Sequence, residues 1–376
     1  MAFPSAVPLT PWLLSNFKVS RTFEQDRNPA YSMCFDEPGD HCAAATKHNT
    51  LDIYDCRGGT LKASYNHKQH GVGLCRYTHL SSNMILSSSK GLKGQGEIRY
   101  FSLHDNTYLR LYRGHTTRVV CLEMSPLDDQ FISSAFDGTV RLWDLRAPEC
   151  HGLLDLDKQE RLMCTIDNAG LVFAVALYPE IRLYDIRSFD TGPFSTWSIQ
   201  DEQLPEHGAR YWSSIKFTNN GKHILLTTTY NTHYLIDAFE GKIVKRLLGV
   251  EPVPLPDPTE PMSRNKKNRW SEEVALTPDG RYALGGTSRQ TVVVWDLLST
   301  PEIDTSLIRE EHLRTYEMDV MASPLPNCAP LIELAPPRLP DVVRPVYTTH
   351  FSPKSALFVT SDEDAVKFWQ PPPSIF

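Results

Sequence analysis

GHTTRVVCLEMSPLDDQFISSAFDGTVRLWDLR, residues 114–146, is the stretch on which the fold turns. It divides into three short runs rich in β-formers, with turn residues between them. VVCLEM alternates outward and inward side chains, SPLDD is a turn, FISSAF is a second strand, DG is a tight turn and TVRLWDL is a third strand. Gly-His near its start and Trp-Asp near its end bracket the unit, which is the signature of one propeller blade. A buried polar relay gives those residues a physical reason. The His115 imidazole can bridge the Ser133 hydroxyl and the Asp137 carboxylate, with the Trp143 indole N–H completing the chain. His, Ser and Asp together invite a catalytic reading, but their spacing and strand context assign all four to structure.

Taking the strand that ends in Trp-Asp as a ruler, equivalents end at Asp55, Ser102, Asp144, Asp185, Asp237, Asp296 and Gln370. The intervals are 47, 42, 41, 52, 59 and 74 residues. The first three lie near the ~40–45 residues of this repeat, and the last three carry insertions, which loops tolerate. Each other unit has its own upstream strand and turn, with turns PGD, SSN, NAG, NNG, PDG and SPKS. Only one Gly-His and two Trp-Asp pairs survive, yet periodicity and turn chemistry persist. The expected fold is therefore all-β: a seven-bladed WD40 β-propeller over residues 17–376, after an N-terminal extension at 1–16. FKVSRTF, Phe17 to Phe23, precedes the first unit, and the last unit stops after its Trp369 strand. The N-terminal strand is expected to complete blade seven, which removes two strand edges.

The composition, 41% hydrophobic and 22% charged, supplies a large core and argues against disorder throughout. A formal charge of −7, from 38 Lys and Arg against 45 Asp and Glu, disfavours general DNA binding, and direct sequence-specific nucleic-acid binding is not expected. The eight cysteines are scattered without a Cys-x-x-Cys pair or Cys/His zinc spacing, so they read as reduced and mostly buried, with no metal or cofactor. No apolar run is long enough for a membrane helix, and the N-terminus lacks a signal-peptide pattern. These features predict a soluble, intracellular protein.

Two insertions interrupt the later blades. Residues 250–270 are proline-rich and then basic, with Arg264, Lys266, Lys267 and Arg269. Proline precludes a central strand there, and the basic run is a solvated loop or a contact for a phosphorylated peptide or RNA. Residues 299–344 include a segment, Pro301 to Met321, whose Thr300 cap and Ile303, Leu307 and Ile308 face suggest one helix. A propeller recognises partners through rim turns, where several blades converge on one segment. His48, Arg118 and Phe136 are the rim candidates, a cationic and aromatic mix set against the alternative of ordinary exposed loop residues.

SLHDN (Ser102 to Asn106), GHTTRVVCLEMSPLDDQFIS, WDLRAPECHGLL, YDIRSFDTGPF (Tyr184 to Phe194) and IDAFEG (Ile236 to Gly241) resemble one WD-repeat subfamily, the Swd-two or WD repeat-containing protein 82 type. The resemblance covers roughly Phe17 to Trp295 and resumes at Val346 to Trp369. It implies a nuclear, non-catalytic scaffold acting with RNA polymerase II. The implied complexes are COMPASS, which methylates a lysine of the histone H3 tail, and the cleavage and polyadenylation factor. Its implied partners are the methyltransferase subunit of COMPASS, the regulatory subunit of a type-one protein phosphatase, and the phosphorylated polymerase tail. The proline-rich N-terminus and both insertions depart from the subfamily pattern.

Two rival readings remain at this level. Trp-Asp-x-Arg at Trp143 to Arg146 and Tyr-Asp-x-Arg at Tyr184 to Arg187 match the adaptor-docking signature of cullin-RING ubiquitin ligase receptors. An enzyme with a site in the central channel is the other, although no carboxylate or histidine set is seen to converge beyond the relay.

Overall fold

The computed structural model describes residues 8–24, 28–90, 96–156, 161–199, 201, 212–228, 232–249, 273–299, 326–336 and 345–375. Within them the chain forms seven antiparallel sheets, each of four consecutive strands apart from the exceptions below. Blade one spans Ala30–Asn66, blade two Cys75–Tyr112, blade three Val119–Asp155, blade four Met163–Ser198 and blade five Trp212–Leu247. Blade six runs from Ala275 to Leu334, and blade seven takes Thr348–Gln370 together with Lys18–Glu24. The blades stand in a ring around a channel walled by the first strand of each.

The sequence ruler lands on the third strand of every blade. These strands are Thr50–Asp55, Ile98–Ser102, Thr139–Asp144, Glu180–Asp185, His233–Asp237, Val292–Asp296 and Ala365–Gln370, each ending at the residue read from the repeat. The aromatic or aliphatic residue before each terminal position is buried: Tyr54, Phe101, Trp143, Tyr184, Ile236, Trp295 and Trp369. That position fills the space between blades, so a large apolar side chain is retained there after Trp itself is lost.

Ring closure follows the expected route. Lys18–Glu24 pairs antiparallel with Ala365–Gln370, Lys18 opposite Gln370 and Glu24 opposite Ala365. The preceding residues add a plug. Thr10 Oγ1 accepts from Leu13 N at 3.1 Å, capping a five-residue helix, Pro11–Ser15. Leu13, Leu14 and Phe17 then pack with Tyr282, Val292 and Leu334 of blade six and Phe358 and Trp369 of blade seven.

The 299–344 insertion contributes to the sheets as well as to a loop. Ile332–Leu334 is the outer strand of blade six, antiparallel to Val292–Asp296, and Asn327–Cys328 adds a parallel fifth strand to blade five. The expected helix at 301–321 lies outside the described residues, as does all of the 250–270 insertion. Among the described residues, no helix is long and apolar enough to cross a membrane.

Candidate partner-docking site

The turn between the second and third strands of each blade lies on one face of the ring, and blade three shows how such a turn is held. The Trp143 indole can only donate, and its Nε1 gives a hydrogen bond to Ser133 Oγ at 2.8 Å. The Ser133 proton therefore goes to His115 Nε2, also at 2.8 Å, leaving Nδ1–H to face Asp137, 3.3 Å from both carboxylate oxygens. Asp137 accepts in addition from Thr139 Oγ1 (2.7 Å), Thr139 N (3.0 Å) and Thr116 N (2.8 Å). Gly138 completes the turn at φ +78°, a left-handed conformation that glycine adopts without strain.

The electrostatics match this proton assignment. Burial lowers the His115 pKa despite the opposing Asp137 carboxylate, so the neutral imidazole is favoured. Burial works against charge on Asp137, but the hydrogen bonds from His115 and Thr139 and the Thr116 amide outweigh it and hold the carboxyl well below its ordinary range. Thr139 was not among the sequence candidates, although it contacts both His115 Nδ1 (2.9 Å) and Asp137. Among the described residues the relay recurs elsewhere in reduced form. Trp369 Nε1 donates to Thr360 Oγ1 at 3.0 Å and Trp295 Nε1 to the Leu248 carbonyl at 2.8 Å, while blades one and six join paired threonines, Thr46–Thr50 and Thr287–Thr291, at 2.7 Å.

The three rim candidates occupy this face, but not one cluster. Phe136 N donates to the Arg118 carbonyl at 3.2 Å, which joins those two residues in blade three. Arg118 is half-buried at the channel mouth, where burial lowers its pKa and the Tyr31 hydroxyl counteracts that. Tyr31 in turn meets the Tyr347 ring edge-on at 6.0 Å. His48 is exposed two blades away, its backbone N–H held by Asn28 Oδ1 at 2.6 Å. Arg264, Lys266 and Lys267 lie outside the described residues.

Beneath that mouth the structure corrects one expectation, because charged side chains do converge away from the relay. Arg76 of blade two reaches Glu273, at the head of blade six, with Nη2 3.1 Å from Oε1, while its Nη1 donates to Ser32 Oγ of blade one at 3.1 Å. Lys216 of blade five lies 3.8 Å from Glu273 Oε2 and donates to the Val274 carbonyl. His350 Nε2 of blade seven approaches Oε2 to 2.8 Å, close but off the hydrogen-bond axis. Burial disfavours charge on Glu273, yet Lys216, Arg76 and His350 together hold its pKa well below the ordinary value. Glu123 of blade three faces the same space, accepting from Thr165 Oγ1 at 3.1 Å, and burial pushes its pKa up to about 8.

Each member of this set sits on a different blade, so no local spacing announces it. The available signal was a charged residue within an otherwise uncharged inner strand, as in CRY, VVCLEM and WSSIKF. Chemically the set is a tie across the channel. The carboxylate of Glu273 is engaged by three basic side chains, and a base in that state has little tendency to take a further proton. Among the described residues no His, Cys, Asp and Glu group is arranged to hold a metal ion, and all eight cysteines are free thiols.

A closed ring of seven Trp-Asp-type blades, with turns gathered around a filled channel, defines a WD-repeat propeller of the docking kind. The WD domain, G-beta repeat model matches residues 106–144, from the fourth strand of blade two through the third strand of blade three, the stretch that carries the full relay. The chain is 35% identical to WD repeat-containing protein 82 of Drosophila melanogaster over 285 residues, covering 76% of this chain and 82% of that protein. It is 29% identical to Set1 complex component swd2 of Schizosaccharomyces pombe over 353 residues, 90% of this chain and 91% of the relative. It is 28% identical to COMPASS component SWD2 of Saccharomyces cerevisiae over 288 residues, 75% and 82% respectively. The chain belongs to the Swd2 and WD repeat-containing protein 82 family.

Proposed function

We propose that this chain is a nuclear, non-catalytic scaffold subunit of a COMPASS-type histone H3 lysine methyltransferase complex. The observation that carries this reading is near full-length similarity to proteins named as Set1 complex and COMPASS components. A scaffold needs a platform whose loops keep their relative positions, and a closed ring tied across its channel supplies one. In this reading His115, Ser133, Asp137 and Trp143 are structural, and partner segments of the methyltransferase subunit rest on the rim with Arg118 and Phe136. His48 is assigned to the periphery of that contact. Arg264, Lys266 and Lys267 are assigned to phosphorylated segments, since clustered cations attract phosphate.

The same role extends, on the family resemblance, to the cleavage and polyadenylation factor, with the type-one phosphatase regulatory subunit and the phosphorylated polymerase tail as partners. Docking to a cullin adaptor has less support. The Arg146 guanidinium is taken up by its own strand's Asp144, at 2.7 and 2.9 Å, which gives it a local partner.

An affinity-tagged copy purified from nuclear extract, with mass spectrometry of what accompanies it, tests the proposal. Recovery of a histone methyltransferase, a type-one phosphatase module or both is expected. Recovery of neither, or of a cullin adaptor in their place, would overturn it. Arg118→Ala with Phe136→Ala is expected to weaken methyltransferase recovery while leaving the thermal midpoint within a few degrees of the parent.

A further inference from the structure

In an antiparallel blade successive turns alternate between the two faces of the ring, so the turns joining first to second strands lie opposite Phe136 and His48. In blades one to four these turns are Asp36–Asp40, Thr78–Ser82, Ser125–Asp129 and Asp167–Leu171. Three of them, in adjacent blades, expose a leucine: Leu80 at 60%, Leu127 at 67% and Leu171 at 50%. The turns also touch one another. His79 Nε2 meets the Asp128 carbonyl at 3.0 Å, and a methyl group built at Gly170 would stand 3.4 Å from Leu127 Cδ1. Leu80, Leu127 and Leu171 therefore flank a continuous seam across three blades and form an arc, unlike apolar residues scattered singly over a surface.

Carboxylates outnumber cations around the arc. In the four turns Glu37, Asp40, Asp128, Asp129 and Asp167 reach the surface, Asp36 is buried against His41, His79 lies 3.6 Å from Glu37, and there is neither lysine nor arginine. Of the guanidinium groups in the adjoining turns, Arg57 is paired with Asp40 and Arg146 with Asp144, both at 2.7 Å, and Arg187 stands exposed at the blade-four end of the arc. Apolar anchors set in a carboxylate field suit a partner of opposite charge that carries its own apolar side chains.

We infer that this face is a second docking surface, an acidic leucine arc over blades two to four that takes a basic, leucine-anchored segment of a partner protein. It goes beyond the scaffold reading above and does not depend on which complex holds the opposite rim. A scaffold with partners on both faces joins them without contact between the partners themselves.

The probe is a synthetic amphipathic helix with leucines at i, i+3, i+4 and i+7 and lysines elsewhere, titrated into the full chain by fluorescence anisotropy. Saturable binding that weakens with salt is expected. Leu80→Ser with Leu127→Ser should weaken it about tenfold or more, as should Asp128→Lys with Asp129→Lys. Melting curves that match the parent would show that the exposed substitutions leave the fold intact, and the two variant pairs act through different chemistry. Equal binding of a glutamate version of the peptide, or of a lysine peptide with serines in place of leucines, would overturn the inference. So would unchanged affinity in both variants. A dimer of the parent that Leu127→Ser converts to monomer in sedimentation would assign the arc to a second copy of this chain and overturn it equally.

Discussion

Ser133 sits between a donor that cannot accept and a ring that needs a proton, and both of its neighbours are buried. Removing its hydroxyl leaves the Trp143 Nε1–H and the His115 Nε2 lone pair without partners, and an unmet buried polar group costs about 1–3 kcal/mol. Ser133→Ala is expected to lower the urea-denaturation free energy by an amount in that range. Threonine already serves the same indole in blade seven, where Thr360 Oγ1 accepts from Trp369. Ser133→Thr keeps the acceptor and is therefore expected to cost less than the alanine variant, about 1 kcal/mol, the low end of the range for one added methyl in a packed core. A loss as large as that of the alanine variant would contradict the assigned hydrogen-bond chain. Thr139 shows why part of this site escaped the sequence reading. The repeat marks its position only as the residue after Asp-Gly, and its contact with His115 appears once the turn is closed.

Blade six is the element that the channel charges serve. Its first strand is only Ala275–Leu276, and two long insertions flank the remainder. Glu273 precedes that strand and draws side chains from blades two, five and seven toward it. Glu273→Gln removes the negative charge and leaves the half-buried Arg76 and Lys216 without their carboxylate, a loss that stays below the about 3–5 kcal/mol of a fully buried pair. Faster amide hydrogen exchange in Tyr282–Gly286 than in Gln130–Ala135 of blade three is the expected signature. Uniform acceleration across all blades would argue against a local tie.

Glu123 gives the same channel a pH dependence whose sign follows from burial. Its folded pKa of about 8 lies above its ordinary 4.5, so between those values the folded chain holds a proton that the unfolded chain has released. Stability contributed by the protonated carboxyl is complete below about pH 4.5 and declines as pH rises toward about 8. Glu123→Gln, which cannot ionise, is expected to be no more stable than the parent at the acid end and to gain on it steadily up to about pH 8. Paired denaturation curves across that interval decide the point, and a constant gap between the two proteins would refute it.

The whole molecule depends on a clasp made by residues far from the strand they meet. Lys18–Glu24 covers the edge of Ala365–Gln370, and Leu13, Leu14 and Phe17 seal the join between blades six and seven. Removing residues 1–24 exposes that edge and the apolar surface under the helix, leaving a template for pairing with other chains. Such a chain is expected to melt several degrees lower and to aggregate on heating, followed by light scattering. Unchanged melting would mean that the ring holds without its N-terminal strand. At this scale the two faces also separate: Arg118 and Phe136 share one mouth, while the leucine arc lies on the other.

The amino-acid sequence by itself determined the number of blades, the residue at which each third strand ends and the strand that closes the ring. The first two rest on side-chain alternation and turn chemistry within about 40 consecutive residues, and the third on the count of strands, since the last unit stops one strand short and a strand-like run precedes the first. It also determined the relay, since its members all lie within the one repeat unit Gly114 to Trp143, His115 just before the first strand of blade three and the others on or between its second and third strands. Only the tertiary structure decided which charges face one another in the channel and which leucines line up on the rim. Arg76, Lys216, Glu273 and His350 belong to four blades, and nothing in their local sequence sets their separation. Closing the ring places first strand beside first strand, so contacts across the channel are consequences of curvature that no repeat unit encodes alone.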